Sequence, residues 1–262
     1  MRGSDRLNQD IIKANLGTKR IGRKIIVFSS TSSTNDVAAE YAKNKINDGL
    51  VVLAEEQTKG RGRAGNKWIT ARADSIICSI GLSDCNLNPE LLSLACAVAV
   101  AEAIGRCAKS RAKIKWPNDI ILNGKKIAGI LAESKSSKKR IACIIGIGIN
   151  CHQSIESFPP ELRQTATSID IESGTICDRN SLTKRLLTSF DHWLEKAGDD
   201  PGIVIDHWKK LSTQLGHRLS VIYNKRKFTG HCIGIDPEKG LILHLDSGAI
   251  RFFPAAQTSI QK

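Results

Sequence analysis

The chain is 262 residues long, 41% hydrophobic and 25% charged, and carries 39 basic against 26 acidic side chains, a formal net charge of +13. That length allows one large domain or two unequal ones around a buried core, and the composition is ordinary for a globular protein. The longest apolar stretches, near residues 92–104 and 141–149, are broken by Ser93, Glu102, Gly146 and Gly148, short of the roughly 18 uninterrupted residues of a membrane span.

Residues 1–6 lack the apolar core of a secretory signal, so the expectation is a cytoplasmic protein with no membrane partner. The first strand is predicted at residues 24–28, followed by a polar Ser/Thr turn and a helix opening near Asn35 or Asp36. Residues 50–54 give a second strand, leading into a glycine- and arginine-rich loop, and residues 75–82 a third. Residues 89–108 are the clearest helix, with Pro89 suited to a first turn and alanine-rich spacing that implies burial. Short strands follow near 113–115, 120–122 and 126–133, with a turn at Asn123-Gly124, then a buried strand at 140–149. Residues 181–196 and 201–215 are predicted helices. Beyond 215 the pattern changes to short strands at 217–223, 227–235, 241–245 and 249–253, with regular turn signals that suggest a small antiparallel barrel docked on the larger domain. The expected division is an N-terminal extension at 1–24, a main domain at 25–215 and the barrel at 216–262.

Eight cysteines (Cys78, Cys85, Cys96, Cys107, Cys143, Cys151, Cys177 and Cys232) show no C-x-x-C spacing and sit mostly in apolar runs, so they are expected as buried thiols. His152 beside Cys151 is the nearest approach to a metal constellation, and no dedicated protein metal cage is expected. The positive charge lies partly in short clusters, at 135–140 and 225–227, that fit solvated faces. With no zinc finger, basic zipper or aromatic RNA-binding motif, nucleic acid is not an expected partner, although the field suits acidic partners and polyphosphates.

The segment Gly60-Arg61-Gly62-Arg63-Ala64-Gly65-Asn66-Lys67-Trp68 fits neither core nor an ordinary turn. Glycine lets a ligand approach the main chain, and arginine offers a planar fork of donors for phosphate or carboxylate. Ser32-Ser33-Thr34-Asn35 opens a helix and by itself reads first as a capping cluster. Gln57 lies three residues before the loop. Lys115-Trp116-Pro117-Asn118-Asp119 sets a lysine at a strand end before a turn, and Lys126 begins the strand that contains Gly129. Gly146 and Gly148 share one face of a strand, which fits close approach of a ligand or of another backbone and equally fits tight packing against a helix.

In order and approximate spacing these motifs resemble those of biotin protein ligases, from about residue 21 to the end; the pairing of Gly-Arg-Gly-Arg with Lys-Trp-Pro-Asn-Asp is the specific part. The resemblance implies an α+β fold, a mixed-sheet catalytic domain of the biotin/lipoate ligase type with a small SH3-like C-terminal barrel. It implies that Ser33, Thr34, Asn35 and Gln57 bond the biotin head group and that Gly60, Arg61, Gly62 and Arg63 cover biotin and the ATP phosphates. Lys115 would contact the biotin carboxylate and the α-phosphate, and Gly129, Gly146 and Gly148 would leave room for biotin. Asn118, Asn150, Lys126 and Trp68 would serve ATP. Lys115, Arg61 and Arg63 are the expected catalytic residues, with biotin and ATP as substrates, Mg2+ carried by the phosphates, and a biotin carboxyl carrier protein as the acceptor. A homodimer through the sheet is compatible with the resemblance. Two departures stand out: many relatives have basic residues where Ala64 and Asn66 stand here. About 24 residues before the first strand are too few for the winged helix of the repressor members, so a monofunctional ligase is expected. The alternatives are a lipoate or octanoate ligase or transferase of the same superfamily, and a biotin-binding regulatory protein.

Overall fold

The computed structural model describes residues 5–83, 85–137 and 140–261; Lys138 and Lys139 of the basic cluster at 135–140 lie outside them. In chain order the elements are α1 (Gln9–Lys13), β1 (Ile25–Phe28), α2 (Thr34–Ala42), β2 (Leu50–Ala54), β3 (Ser75–Leu82), α3 (Pro89–Ala108), β4 (Lys113–Lys115), β5 (Asp119–Leu122), β6 (Lys125–Ser137) and β7 (Arg140–Asn150). After these come α4 (Ile169–Ser173), α5 (Arg179–Asp199), α6 (Pro201–Leu211), β8 (Arg218–Tyr223), β9 (Arg226–Asp236), β10 (Gly240–Leu245), β11 (Ile250–Phe253) and β12 (Thr258–Ile260).

The first seven strands form one mixed sheet in the order β1-β2-β3-β7-β6-β5-β4, parallel only between β1 and β2. Helix α2 packs on one face of the sheet. On the other, α3 packs against β6, α5 and α6. Asn88 caps α3 by accepting the Glu90 N–H at 2.8 Å, and Pro89 follows at the first turn. This helix is long and apolar enough to cross a membrane by length and composition, yet most of it is buried inside the fold, as a helix apolar on all sides must be.

Residues 1–24 are more than an appendage. Leu7, Ile12, Leu16 and Ile21 enter the main hydrophobic core. The predicted helix at 201–215 ends instead at Leu211. Ser212 is extended and bridges Ile114, and the Thr213 N–H donates to the Ile114 carbonyl at 2.9 Å, so the chain joins the edge of β4. Beyond it, β8–β12 form a second sheet in the order β11-β10-β9-β8-β12. Strand β12, only Thr-Ser-Ile, is too short to show in the sequence. Val221, Cys232, Leu241, Leu243 and Phe253 of this sheet belong to the same continuous core as the large sheet. All eight cysteines are free thiols, seven of them buried.

Candidate active site

One face of the central sheet is thinned by three glycines and a serine. Gly129, Gly148 and Ile77 align across β6, β7 and β3, next to a row of Leu131, Gly146 and Ser79. Space above them is already taken. A Cβ on Gly146 would lie 2.4 Å from Asn35 Oδ1, and one on Gly148 would lie 2.4–2.8 Å from three atoms of the Trp68 indole. The glycines therefore let α2 and the glycine-rich loop settle directly on the sheet. Between these layers lies a cavity of about 320 Å³.

Where α2 meets the sheet, the site carries a polar chain. Gln57 Oε1 accepts from both the Thr34 N–H at 2.7 Å and the Thr34 hydroxyl at 2.9 Å. It thus caps α2 from another loop, while Ser33, standing at the cap position, makes no capping bond. The Ser79 hydroxyl lies 2.7 Å from Thr34 Oγ1 and 2.6 Å from Asn35 Oδ1, and Asn35 Nδ2 donates to Glu133 at 2.7 Å. Donors and acceptors thus alternate along one wall.

Cations line the cavity as well. Arg61 forms a two-pronged pair with Asp36 at 2.8 and 2.7 Å and lies 3.6 Å from Glu133. The Asp36 bond raises the Arg61 pKa, and the same bond outweighs desolvation to lower that of Asp36. Arg63 donates to Asn118 Oδ1 at 3.2 Å and to the Ala255 carbonyl. Burial pulls its pKa below the usual guanidinium value, against the opposing pull of Glu90 and Asp119. Glu90 accepts the Ala255 N–H at 2.7 Å, so both ends of that residue are gripped and the second sheet is tied to the loop. Lys126 pairs with Asp119 at 2.6 Å beneath the Trp68 ring. Lys115 lines the same cavity from the end of β4, ahead of a cis Trp116–Pro117 peptide. Cys78 also lies in the wall, but burial pushes its thiol up to about 12, so it offers no thiolate nucleophile.

The loop itself is a small hairpin. The Trp68 N–H bonds the Gly60 carbonyl at 3.1 Å and the Gly62 N–H bonds the Asn66 carbonyl at 2.7 Å. A Cβ on Gly60 would fall 2.4 Å from the Trp68 carbonyl oxygen, so glycine is required there. Ala64 forms the exposed tip at φ +53°, and Asn66 returns its side-chain amide to the Arg63 carbonyl at 2.9 Å. Between this hairpin and residues 222–225 and 256–259 of the second sheet runs an open groove of about 930 Å³.

Of the residues expected from the sequence, Ser33, Thr34, Asn35, Gln57, Arg61, Gly62, Arg63, Trp68, Lys115, Asn118, Lys126, Gly129, Gly146 and Gly148 line the inner cavity. Gly60 lines the outer groove. Asn150 stands apart: its amide donates to the Thr167 carbonyl at 3.0 Å and it lines neither cavity. Sequence reasoning missed Ser79, Asp36 and Glu133, ordinary polar residues in a strand, a helix and a strand. Among the described residues no group of three or more His, Cys, Asp or Glu is placed to hold a metal ion.

The profile of the Biotin/lipoate A/B protein ligase family matches residues 27–150. The bifunctional ligase/repressor BirA of Bacillus spizizenii is 35% identical over 257 residues, covering 95% of this chain and 78% of that protein. The biotin–[acetyl-CoA-carboxylase] ligase of Mycobacterium tuberculosis is 32% identical over 235 residues, 84% of this chain and 85% of that one. This chain belongs to the biotin protein ligase family. Its fold agrees: the biotin protein ligase of Aquifex aeolicus, solved in complex with biotin and ATP, superposes with a TM-score of 0.78 at 26% identity, covering 92% of this chain and 99% of that one. In this family member the glycine-rich hairpin, Lys115 and the glycine face converge on one cavity.

Proposed function

We propose that this chain activates biotin with ATP to biotinyl-5'-AMP and then transfers biotin to a lysine of a biotin carboxyl carrier protein in the cytoplasm. The observation that carries the reading is a single cavity lined both by the donor–acceptor side chains Ser33, Thr34, Asn35 and Gln57 and by the cations Arg61, Arg63, Lys67, Lys115 and Lys126. A ureido ring needs both donors and acceptors; a carboxylate approaching a triphosphate needs positive charge.

In the first step a biotin carboxylate oxygen bonds to the α-phosphorus and the bond to the bridging oxygen breaks, releasing pyrophosphate. In the second, a lysine amine bonds to the acyl carbon, the C–O bond to AMP breaks, and the amine gives up a proton. No enzyme nucleophile is required. Lys115 holds the reacting carboxylate and α-phosphate together, and Arg61 and Arg63 neutralise the phosphates, so catalysis comes from aligning anions that repel one another. Asp36, Glu133 and Asp119 are paired with arginine or lysine, which suits Mg2+ held by the phosphates. Magnesium there would supply charge neutralisation at the leaving pyrophosphate. The Aquifex ligase in complex with biotin and ATP supports the substrate pair.

The test is pyrophosphate release with ATP and either biotin or lipoate. Release with biotin and little with lipoate is expected. Release with lipoate alone would move the chain to the lipoate ligases, and release with neither would sink the ligase reading.

A further inference from the structure

Arg179, the first residue of α5, is 1% exposed and lies outside the cavity. Its guanidinium is bonded on every side. Nη1 donates to Glu55 Oε2 at 2.7 Å and to the Ser75 carbonyl at 3.1 Å. Nε donates to Asp5 Oδ2 at 2.7 Å and Nη2 to the Asp5 carbonyl at 2.7 Å. A buried charge is costly to desolvate, and a well-packed apolar group of similar volume often stabilises as much, so stability alone is a weak reason for this arrangement.

Its partners supply a better one. Glu55 directly follows β2 and Ser75 begins β3, so they are the two roots of the segment 56–74 that contains Gln57, Arg61, Arg63 and Trp68. The roots are also joined by the β2–β3 ladder, which ends at Ala54 and Ile77, and by the Ala73 N–H, which donates to the Glu55 carbonyl at 3.0 Å. The second carboxylate oxygen of Glu55 accepts the Leu7 N–H at 2.7 Å, so the N-terminal segment grips the same root. A planar fork bridges fixed points in a way that a lysine ammonium, a single point charge on a flexible stem, does not.

We propose that Arg179 is a positioning residue: by stapling Glu55 to Ser75 it sets where the glycine-rich hairpin lies over the cavity, and so how firmly the adenylate is retained. What the hairpin covers rests on the ligase reading; the staple does not. Two full-length variants test it, Arg179→Lys and Glu55→Gln, against Phe190→Leu, a buried change on the same helix. Amide hydrogen exchange of residues 56–74 should be at least about tenfold faster in the first two than in Phe190→Leu at matched loss of Tm. Release of biotinyl-adenylate into solution should rise about tenfold in both, since small misplacements at such sites cost about that much or more. Loop exchange no faster than in Phe190→Leu, or faster exchange without faster adenylate release, would overturn the proposal. A wild type that makes no adenylate, with the exchange difference intact, would retire the ligase reading and leave the staple standing.

Discussion

Single residues decide how close the layers of the site can come. Gly148 is the sharpest case, because the indole above it is a rigid ring that a new methyl group must push away. Gly148→Ala is expected to lift Trp68 off the sheet, costing about 1–3 kcal/mol in stability by overpacking and raising KM for biotin and ATP by roughly tenfold or more. Urea denaturation and steady-state kinetics check both; unchanged values would mean that the indole is free to move. The arginines teach a different lesson at this scale. Their types were readable as anion binders, but their partners, Asp36 for Arg61 and the Ala255 carbonyl for Arg63, were not. The latter contact spans 192 residues. Ala64 forms the exposed tip of the hairpin and Asn66 its internal brace.

At the scale of elements, the junction of the two sheets bears on the site directly. After α6 stops at Leu211, the chain runs along β4 and Gln214 reaches the motif that follows Lys115. Gln214 Oε1 accepts the Trp116 N–H at 3.0 Å and its Nε2 donates to the Trp116 carbonyl at 3.1 Å, both buried. Its amide thereby acts as a neighbouring strand would, for a residue that proline leaves without a regular ladder. Gln214→Ala leaves both backbone groups unpaired and is expected to cost about 2 kcal/mol or more. Gln214→Glu keeps the acceptor but sets a charged oxygen against the Trp116 carbonyl in a buried site, and at neutral pH is expected to cost more. Chemical denaturation of the two variants measures the order, and equal losses would count against the two-bond account. The sequence predicted α6 running through this stretch because nothing local in Leu211-Ser212-Thr213-Gln214 stops a helix. Pairing with β4 stops it.

Across the whole molecule, the N-terminal segment is held to the core by charge as well as by apolar packing. His152, 6% exposed, lies 2.6 Å from Asp5 and 2.7 Å from Asp170, and the Asp5 carboxylate also takes two bonds from Arg179. The bond to Asp5 leads in raising the His152 pKa above its ordinary 6.5, against the cost of burial and with further help from Asp170. A raised folded pKa means that the imidazolium's contribution to stability is complete below about pH 6.5 and is lost as pH climbs through the higher folded value. For Asp5 burial pushes upward, but His152 and Arg179 outweigh it and the net shift is downward, so its contribution fades only as pH falls below about 3.8. The urea midpoint of the wild type is therefore expected to decline from pH 6.5 upward, and that of His152→Gln to be flatter over the same range. Parallel slopes would remove His152 as the source.

The sequence by itself determined the order of the main strands and helices, though not α1, α4 or β12, together with the small C-terminal sheet and the residue types of the cavity. Hydrophobic period, turn chemistry and motif spacing are all local, and Gly60, Arg61, Lys115 and Gly146 carry their chemistry wherever the chain places them. Only the tertiary structure decided that Gln57 caps α2, that Ser79 joins the polar wall, that Asn150 turns away to Thr167, and that Arg179 ties Glu55 to Ser75. Those outcomes depend on which buried donor finds which acceptor. The partners lie tens to more than a hundred residues apart, 124 in the case of Arg179 and Glu55. No pattern within a strand or helix encodes such a pairing; it follows from how the layers stack.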